Sequence, residues 1–252
     1  MEVIIVTGAS KGLGAALVER LLSPDRKVIG IARAANEALA ASARSQGAWL
    51  DWSLQDLSDL PATDALAASI CAGLPRDAKS YTLINNAALA DPIGPIAGLD
   101  PARVVAAINV NLTAAMLFTS RFLAATAMID AERRVLNISS GLARRPMDGT
   151  SPYCTSKAGL DMFTRCINAE PYDPQRALRK AKASSLAPGV IDTGMQVVMR
   201  GQDASTFPEG IRFQAMKEEG KLVSAQDVAT KVAAYLQRDD FGSVEIDDIR
   251  NY

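Results

Sequence analysis

One unit near the N-terminus constrains the fold more than any other stretch. Glu2–Val6 (EVIIV) is a β-branched run that ends directly in Thr7-Gly8-Ala9-Ser10-Lys11-Gly12-Leu13-Gly14. Gly14–Leu22 then places apolar residues at helical spacing. A strand that passes through a Gly-rich turn into a helix opens a βαβ unit. The glycines permit a tight turn and let backbone N–H groups approach an anion, and the helix N-terminus favours negative charge there. The spacing GxxxGxG is one residue longer than the GxGxxG fingerprint of dinucleotide sites. An ordinary tight strand–helix connection is the bland reading of the same glycines.

The rest of the chain repeats the alternation. Lys27–Ala32, Ala48–Leu50, Tyr81–Ile84, Arg134–Ile138, Ala183–Leu186 and Ser243–Ile246 read as strands. Asn36–Ser45, Pro61–Ala72, Pro101–Met128, Pro152–Ala169 and Ser224–Leu236 read as helices between them. Strand–helix alternation from end to end implies parallel strands joined by right-handed crossovers. The expected fold is α/β: a Rossmann-type, doubly wound parallel sheet of about seven strands with helices on both faces, built as one domain over residues 1–252. Glu170–Lys182 (EPYDPQRALRKAK) reads as a solvated loop and frayed helix end. Gln196–Lys221, rich in Met, Gly and charge, is a candidate lid.

Composition removes whole classes of chemistry. The chain has no histidine, so Ser-His-Asp and Cys-His nucleophile systems, His-ligated metals and imidazole switching are excluded. Its 27 basic and 28 acidic residues give a net charge of -1, with no basic field for nucleic acid and no polybasic membrane patch. Cys71, Cys154 and Cys166 are odd in number and widely spaced, which fits a reducing compartment better than a disulfide framework or a zinc site. MEVIIVTG has no basic n-region, and no run approaches the ~20 apolar residues of a membrane span. A soluble cytoplasmic protein without nucleic-acid or membrane partners is expected.

The region after the second strand reads Gly30-Ile31-Ala32-Arg33-Ala34, without the acid that NAD sites place there to hold the ribose 2′-OH. Arg33 and Lys11 can instead flank a 2′-phosphate, so the expected cofactor is NADP(H); two surface cations are the alternative. Tyr153 and Lys157 are four apart on a predicted helix and share a face. Ser139-Ser140 follow the fifth strand, and Asn85-Asn86-Ala87-Ala88 follow the fourth. Tyr-x-x-x-Lys alone is common; the ordered set is not.

That set resembles the short-chain dehydrogenase/reductase family over nearly the full length: TGASKGLG, NNAA, the Asn of VNLT, SS, YCTSK and PGVIDT, in the family's order. Ala88 stands where the family usually has Gly. The resemblance implies a hydride-transfer enzyme with Tyr153 as general acid. It implies that Lys157 lowers the phenol's pKa and bonds the nicotinamide ribose, and that Ser140 donates to the substrate carbonyl. Asn111, rather than Asn109, resembles the family's water-anchoring Asn. Gly8, Ser10, Lys11, Gly12, Leu13 and Gly14 match the phosphate turn. Ala32, Arg33, Asn86 and Ala87 match cofactor-binding positions, with Asp51 and Trp52 bracketing the adenine. Pro188, Gly189, Ile191 and Thr193 match the segment that fixes the carboxamide. Trp49 and Trp52 also read as hydrophobic anchors, and Cys154 as a small buried filler or, less simply, a redox thiol.

The C-terminal third is similar to sepiapterin reductases and bacterial benzil reductases, in PGVIDTGMQ, EGKLVS and VEIDD. This implies NADPH-dependent reduction of a small-molecule ketone or vicinal dicarbonyl, with Ser140, Tyr153 and Gly189 lining the substrate site. It also implies a carboxylate near the C-terminus that anchors a pterin; the matching residue is read as Asp247, which otherwise ends the last strand in solvent. Gly194, where sepiapterin reductases tend to carry an acid, weakens strict pterin specificity. Secondary-alcohol oxidation and non-catalytic NADP(H) sensing are the other readings; retention of Ser140, Tyr153 and Lys157 counts against the second. A homodimer or homotetramer through Pro101–Met128 and the helix of Tyr153 is implied.

Overall fold

The computed structural model describes residues 1–252. Seven strands form one sheet: β1 (Glu2–Thr7), β2 (Arg26–Ala32), β3 (Trp49–Leu54), β4 (Ser80–Asn85), β5 (Glu132–Ile138), β6 (Lys182–Ala187) and β7 (Ile246–Asp248). Their order is β3-β2-β1-β4-β5-β6-β7, and every pair is parallel. The order reverses between β1 and β4, so a crevice opens beyond the carboxyl ends of those strands.

Two apolar layers follow from strand alternation. Ile4 and Val6 face one side, where α1 (Gly12–Leu21), α2 (Glu37–Ser45) and α9 (Ala225–Leu236) contribute Leu17, Leu39 and Val232. Val3 and Ile5 face the other, where α3 (Leu60–Ala72), α5 (Ala114–Thr126) and α6 (Ser151–Ala169) contribute Ala67, Phe118 and Ile167. Both faces of the sheet are thus covered, which is why its central strands are near-continuous apolar runs. Asn36, Asp59 and Ser224 cap α2, α3 and α9 by accepting from backbone N–H groups of the first turn.

Several expectations change. The long helix divides into α4 (Pro101–Ile108), a π-helical turn at Asn109–Thr113, and α5. Taken together, Pro101–Thr126 is long and apolar enough to cross a membrane, contrary to the first reading, with a mean hydropathy of 1.4. Its Ala114, Phe118 and Phe122 are nonetheless buried against the sheet, as in a core helix. β3 runs four residues beyond Leu50, and β7 begins only at Ile246. Trp49 is 55% exposed beneath Lys27, not an anchor, whereas Trp52 packs over Gly30. The candidate lid contains two helices, α7 (Gly194–Arg200) and α8 (Glu209–Glu218). Its Met199, Phe207 and Phe213 form a small core with Ala90, while Asp192 pairs with Lys217 and Arg200.

Candidate active site

The Gly-rich turn lies at the carboxyl end of β1. Gly8 and Gly12 have φ of 66° and 56°, in the left-handed region that side chains disfavour. A Cβ on Gly14 would stand 2.1 Å from the Gly8 carbonyl oxygen. These positions therefore require glycine for close backbone approach. Lys11, the N-cap of α1, gives no side-chain cap, so the first N–H groups of α1 have no side-chain acceptor. Ser10 is tied by its carbonyl, which accepts from Asn36 Nδ2 at 3.0 Å. Asn86 Nδ2 donates to the carbonyls of Thr7 and Gly8, and Thr7 Oγ1 accepts from the N–H groups of Asn86 and Ala87. The β1 and β4 ends are thus stitched into one rim. Leu13 is buried beneath the turn.

Ala32 ends β2 and is buried; Arg33 follows it and is exposed, as is Lys11. Asp51 lies elsewhere. It pairs with Ile29 partway along β3, forms an ion pair with Lys27 at 3.2 Å and accepts from Trp49 Nε1. The rim of β3 lies past Leu54, the partner of Ala32. The carboxylate there is Asp56, whose pKa is lowered by bonds from Ser58 and, less strongly, by Arg33. Asp51 is accordingly replaced by Asp56 as the acid at this rim, and Trp52 stands under the turn with its ring near Gly30 and Ala9.

Tyr153 and Lys157 lie on the buried face of α6. Lys157 is 2% exposed and donates from Nζ to the Ile138 carbonyl at 2.7 Å. Burial pulls its pKa down to about 8, with the Asp161 carboxylate opposing. Nζ lies 5.9 Å from the Tyr153 ring centroid. Burial pushes Tyr153 up to about 12, while the neighbouring Ser140 hydroxyl pulls the other way. The shift of the phenol here is set by burial and by Ser140. The ammonium is spent on Ile138, and desolvation of the phenolate dominates.

Ser140 follows β5, and its Oγ accepts from the Leu142 N–H at 3.1 Å, capping a 3₁₀ turn at Gly141–Ala143. Asn111, in the π-helical turn, is buried. Its Oδ1 accepts from Leu89 N, and its Nδ2 donates to Leu89 O and Ser156 Oγ. Asn109 instead bonds Ser58 O from the outer side. Pro188 and Gly189 leave the end of β6, Ile191 bridges to Val223, and Thr193 Cγ2 would lie 3.4 Å from a Cβ on Gly12. The β6 segment and the phosphate turn thus face each other across the crevice. Cys154 is half-buried against Thr150.

Sequence reasoning missed a buried polar layer under the site. Asp161 accepts from Ser139 Oγ at 2.5 Å and Ser185 Oγ at 2.6 Å, locking α6 to β5 and β6. Asn85 bonds Asn137 and Thr119, and Asn137 bonds Thr164. The partners are far apart in sequence, so no local spacing reveals them.

Asp247 is 4% exposed and turned away from the crevice. It pairs in register with Leu186, which belongs to the layer facing α9. Its carboxylate accepts from Asp248 N, Asn251 Nδ2 and Tyr252 OH, at 2.8, 3.1 and 2.6 Å. The strand neither ends in solvent here nor offers this acid to a ligand. Asp248, the next residue, alternates to the α6 side at the carboxyl end of the sheet.

A model of the short chain dehydrogenase family matches residues 2–204. The benzil reductase ((S)-benzoin forming) of Bacillus cereus is 35% identical, with 98% of each chain covered. The sepiapterin reductase of Meriones unguiculatus is 34% identical, with 96% of this chain and 93% of that one covered. A solved short-chain dehydrogenase/reductase from Burkholderia vietnamiensis is 33% identical, covers 99% of this chain and 97% of its own, and superposes with a TM-score of 0.68. A metagenomic short-chain oxidoreductase solved in complex with NADP is 25% identical over 98% of this chain and 94% of its own, with a TM-score of 0.72.

Proposed function

Because the chain belongs to the short-chain dehydrogenase family and is an oxidoreductase of it, we propose that it is an NADPH-dependent reductase of ketones or vicinal dicarbonyls. The observation that carries this reading is the placement of Tyr153 and Lys157 one turn apart on the buried face of α6, with Ser140 beside the phenol at the end of β5. The relatives named for benzil and sepiapterin reduction support the substrate class.

The residues fit a nicotinamide dinucleotide. The turn admits no side chain at Gly14, and the start of α1 has uncapped N–H groups for phosphate. Gly8, Ser10, Lys11, Gly12, Leu13, Gly14, Asn86 and Ala87 form that end of the site. Pro188, Gly189, Ile191 and Thr193 face it across the crevice. Arg33 and Lys11, both exposed, suit a 2′-phosphate, and no acid ends β2. When bound, the cofactor supplies the hydride.

The protein supplies the proton and the alignment. Tyr153, held protonated by burial, donates its phenolic proton to the carbonyl oxygen as negative charge develops there. Ser140 donates a hydrogen bond to the same oxygen. Lys157, on the next turn, is a cation below about pH 8 and opposes the charge left on Tyr153. Asn111 fixes the loop after β4 through Leu89 and so shapes the wall of the crevice. Exposed Val105, Met116 and Met162 on α4, α5 and α6 support a homodimer or homotetramer through those helices. The three free cysteines support a cytoplasmic setting.

Initial rates of NADPH consumption with sepiapterin and with benzil test the reading. Turnover of either supports it. Failure of both, together with failure of other vicinal dicarbonyls, overturns it.

A further inference from the structure

At the carboxyl end of β7, the Arg250 guanidinium forks onto the Asp248 carboxylate. Arg250 donates from Nε to Asp248 Oδ1 at 2.8 Å and from Nη2 to Oδ2 at 2.5 Å. Its backbone N–H adds a third bond to Oδ1 at 3.0 Å. Asp248 lies opposite Ala187, the last residue of β6, on the face that carries α6. The stem of Arg250 reaches Gly189: a Cβ there would stand 3.9 Å from its Cγ and Cδ. From the β5 side, Arg144, which ends the 3₁₀ turn after Ser140, lies near enough to act on the Asp248 charge. The Gly189 side of the crevice is therefore flanked by one carboxylate and two guanidinium groups.

A guanidine-edged ligand such as a pterin needs a carboxylate that accepts two parallel N–H bonds. Asp248 is the carboxylate placed to do this, and the Arg250 fork already makes that pairing within the chain. We propose that Arg250 is a specificity-determining residue: it occupies Asp248, so the site disfavours guanidine-edged substrates and takes vicinal dicarbonyls that lack such an edge. This rests on the reductase reading above and names its substrate class. The side chain of Arg250 is largely exposed, so its removal disturbs little packing.

The experiment is fluorescence titration of pterin itself (2-amino-4-oxopteridine) against NADP+-saturated protein, a readout that does not require turnover. Wild type, Arg250→Met and Arg250→Gln are compared with Arg250→Met/Asp248→Asn, each checked for NADPH binding. Both single variants should bind pterin at least tenfold more tightly than wild type, and the double variant should lose the gain. In kinetics, the ratio of sepiapterin to benzil kcat/KM should rise with the same variants. Single variants that bind pterin no better than wild type overturn the proposal, as does a gain that survives Asp248→Asn. Absence of carbonyl reduction in the wild type as well, with the pterin gain intact, would instead overturn the reductase reading alone.

Discussion

Lys157→Met separates stability from chemistry in a way fixed by the burial of one ammonium. Burial lowers the Lys157 pKa from 10.5 to about 8. A lysine whose native pKa is depressed destabilises the fold most where both states are protonated, below about pH 8. The penalty is relieved as pH rises from about 8 to 10.5, because the unfolded chain then holds a proton that the native one has released. At about 1.36 kcal/mol per pH unit, the penalty is about 3 kcal/mol at pH 6.5 and about 1 kcal/mol at pH 10. Methionine has similar length without charge, so it removes that term. It also leaves the Ile138 carbonyl without its donor, a cost of about 1–3 kcal/mol that does not depend on pH.

The informative quantity is the difference in unfolding free energy between the two proteins, taken from urea denaturation without cofactor at pH 6.5 and at pH 10. Other titrating groups, Tyr153 among them, are common to both proteins and largely cancel. The variant should lose about 2 kcal/mol relative to wild type between the two pH values, going from near parity or better to clearly weaker. Carbonyl reduction should be lost at both. A difference that stays constant with pH would mean that Lys157 is not desolvated in the native state, and the account of its charge would fail.

Tyr153→Phe should reduce turnover at least a thousandfold while NADPH binding, measured by its fluorescence, stays within about threefold of wild type. Arg33→Asp should raise the Kd for NADPH at least tenfold and leave that for NADH little changed; equal losses for both would remove the 2′-phosphate role. Gly14→Ala should destabilise the protein by about 2 kcal/mol or more and abolish NADPH binding, because the added Cβ meets the Gly8 carbonyl. Asp247→Ala should cost about 1–3 kcal/mol and leave the choice between sepiapterin and benzil unchanged. The same substitution should return Tyr252, held up at about 12 chiefly by its bond to Asp247, toward a phenol's usual range in a spectrophotometric titration.

The central strands and the phosphate turn were readable because local signals and tertiary demand coincide there. EVIIV is buried on both faces, and the glycines after it answer a backbone collision. The same agreement holds for Tyr153 and Lys157, whose shared face is a matter of helical spacing. The buried Asp161 escaped notice for the opposite reason. Its serine partners lie just past β5 and within β6, each more than twenty residues away.

The two acids assigned to the wrong places fail for one physical reason. Ligands meet a doubly wound sheet at the carboxyl ends of its strands, and there the apolar signal fades. The strand expected from sequence stops at Leu50, which sets Asp51 just past its end. An edge strand exposed on one side tolerates Asp and Ser, and β3 continues to Leu54, leaving Asp56 beyond the end. At the other edge, Val244-Glu245-Ile246 has the residues of a strand, but pairing with β6 begins only where Ile246 meets Ser185. With a period of two, that phase decides which of two adjacent carboxylates faces α9 and which faces the crevice. Asp247 turns to the α9 side, where the Tyr252 hydroxyl bonds it, and Asp248 goes to the ligand side, where Arg250 meets it. The fold depends on strand interiors, whereas the specificity of the site depends on where each strand stops.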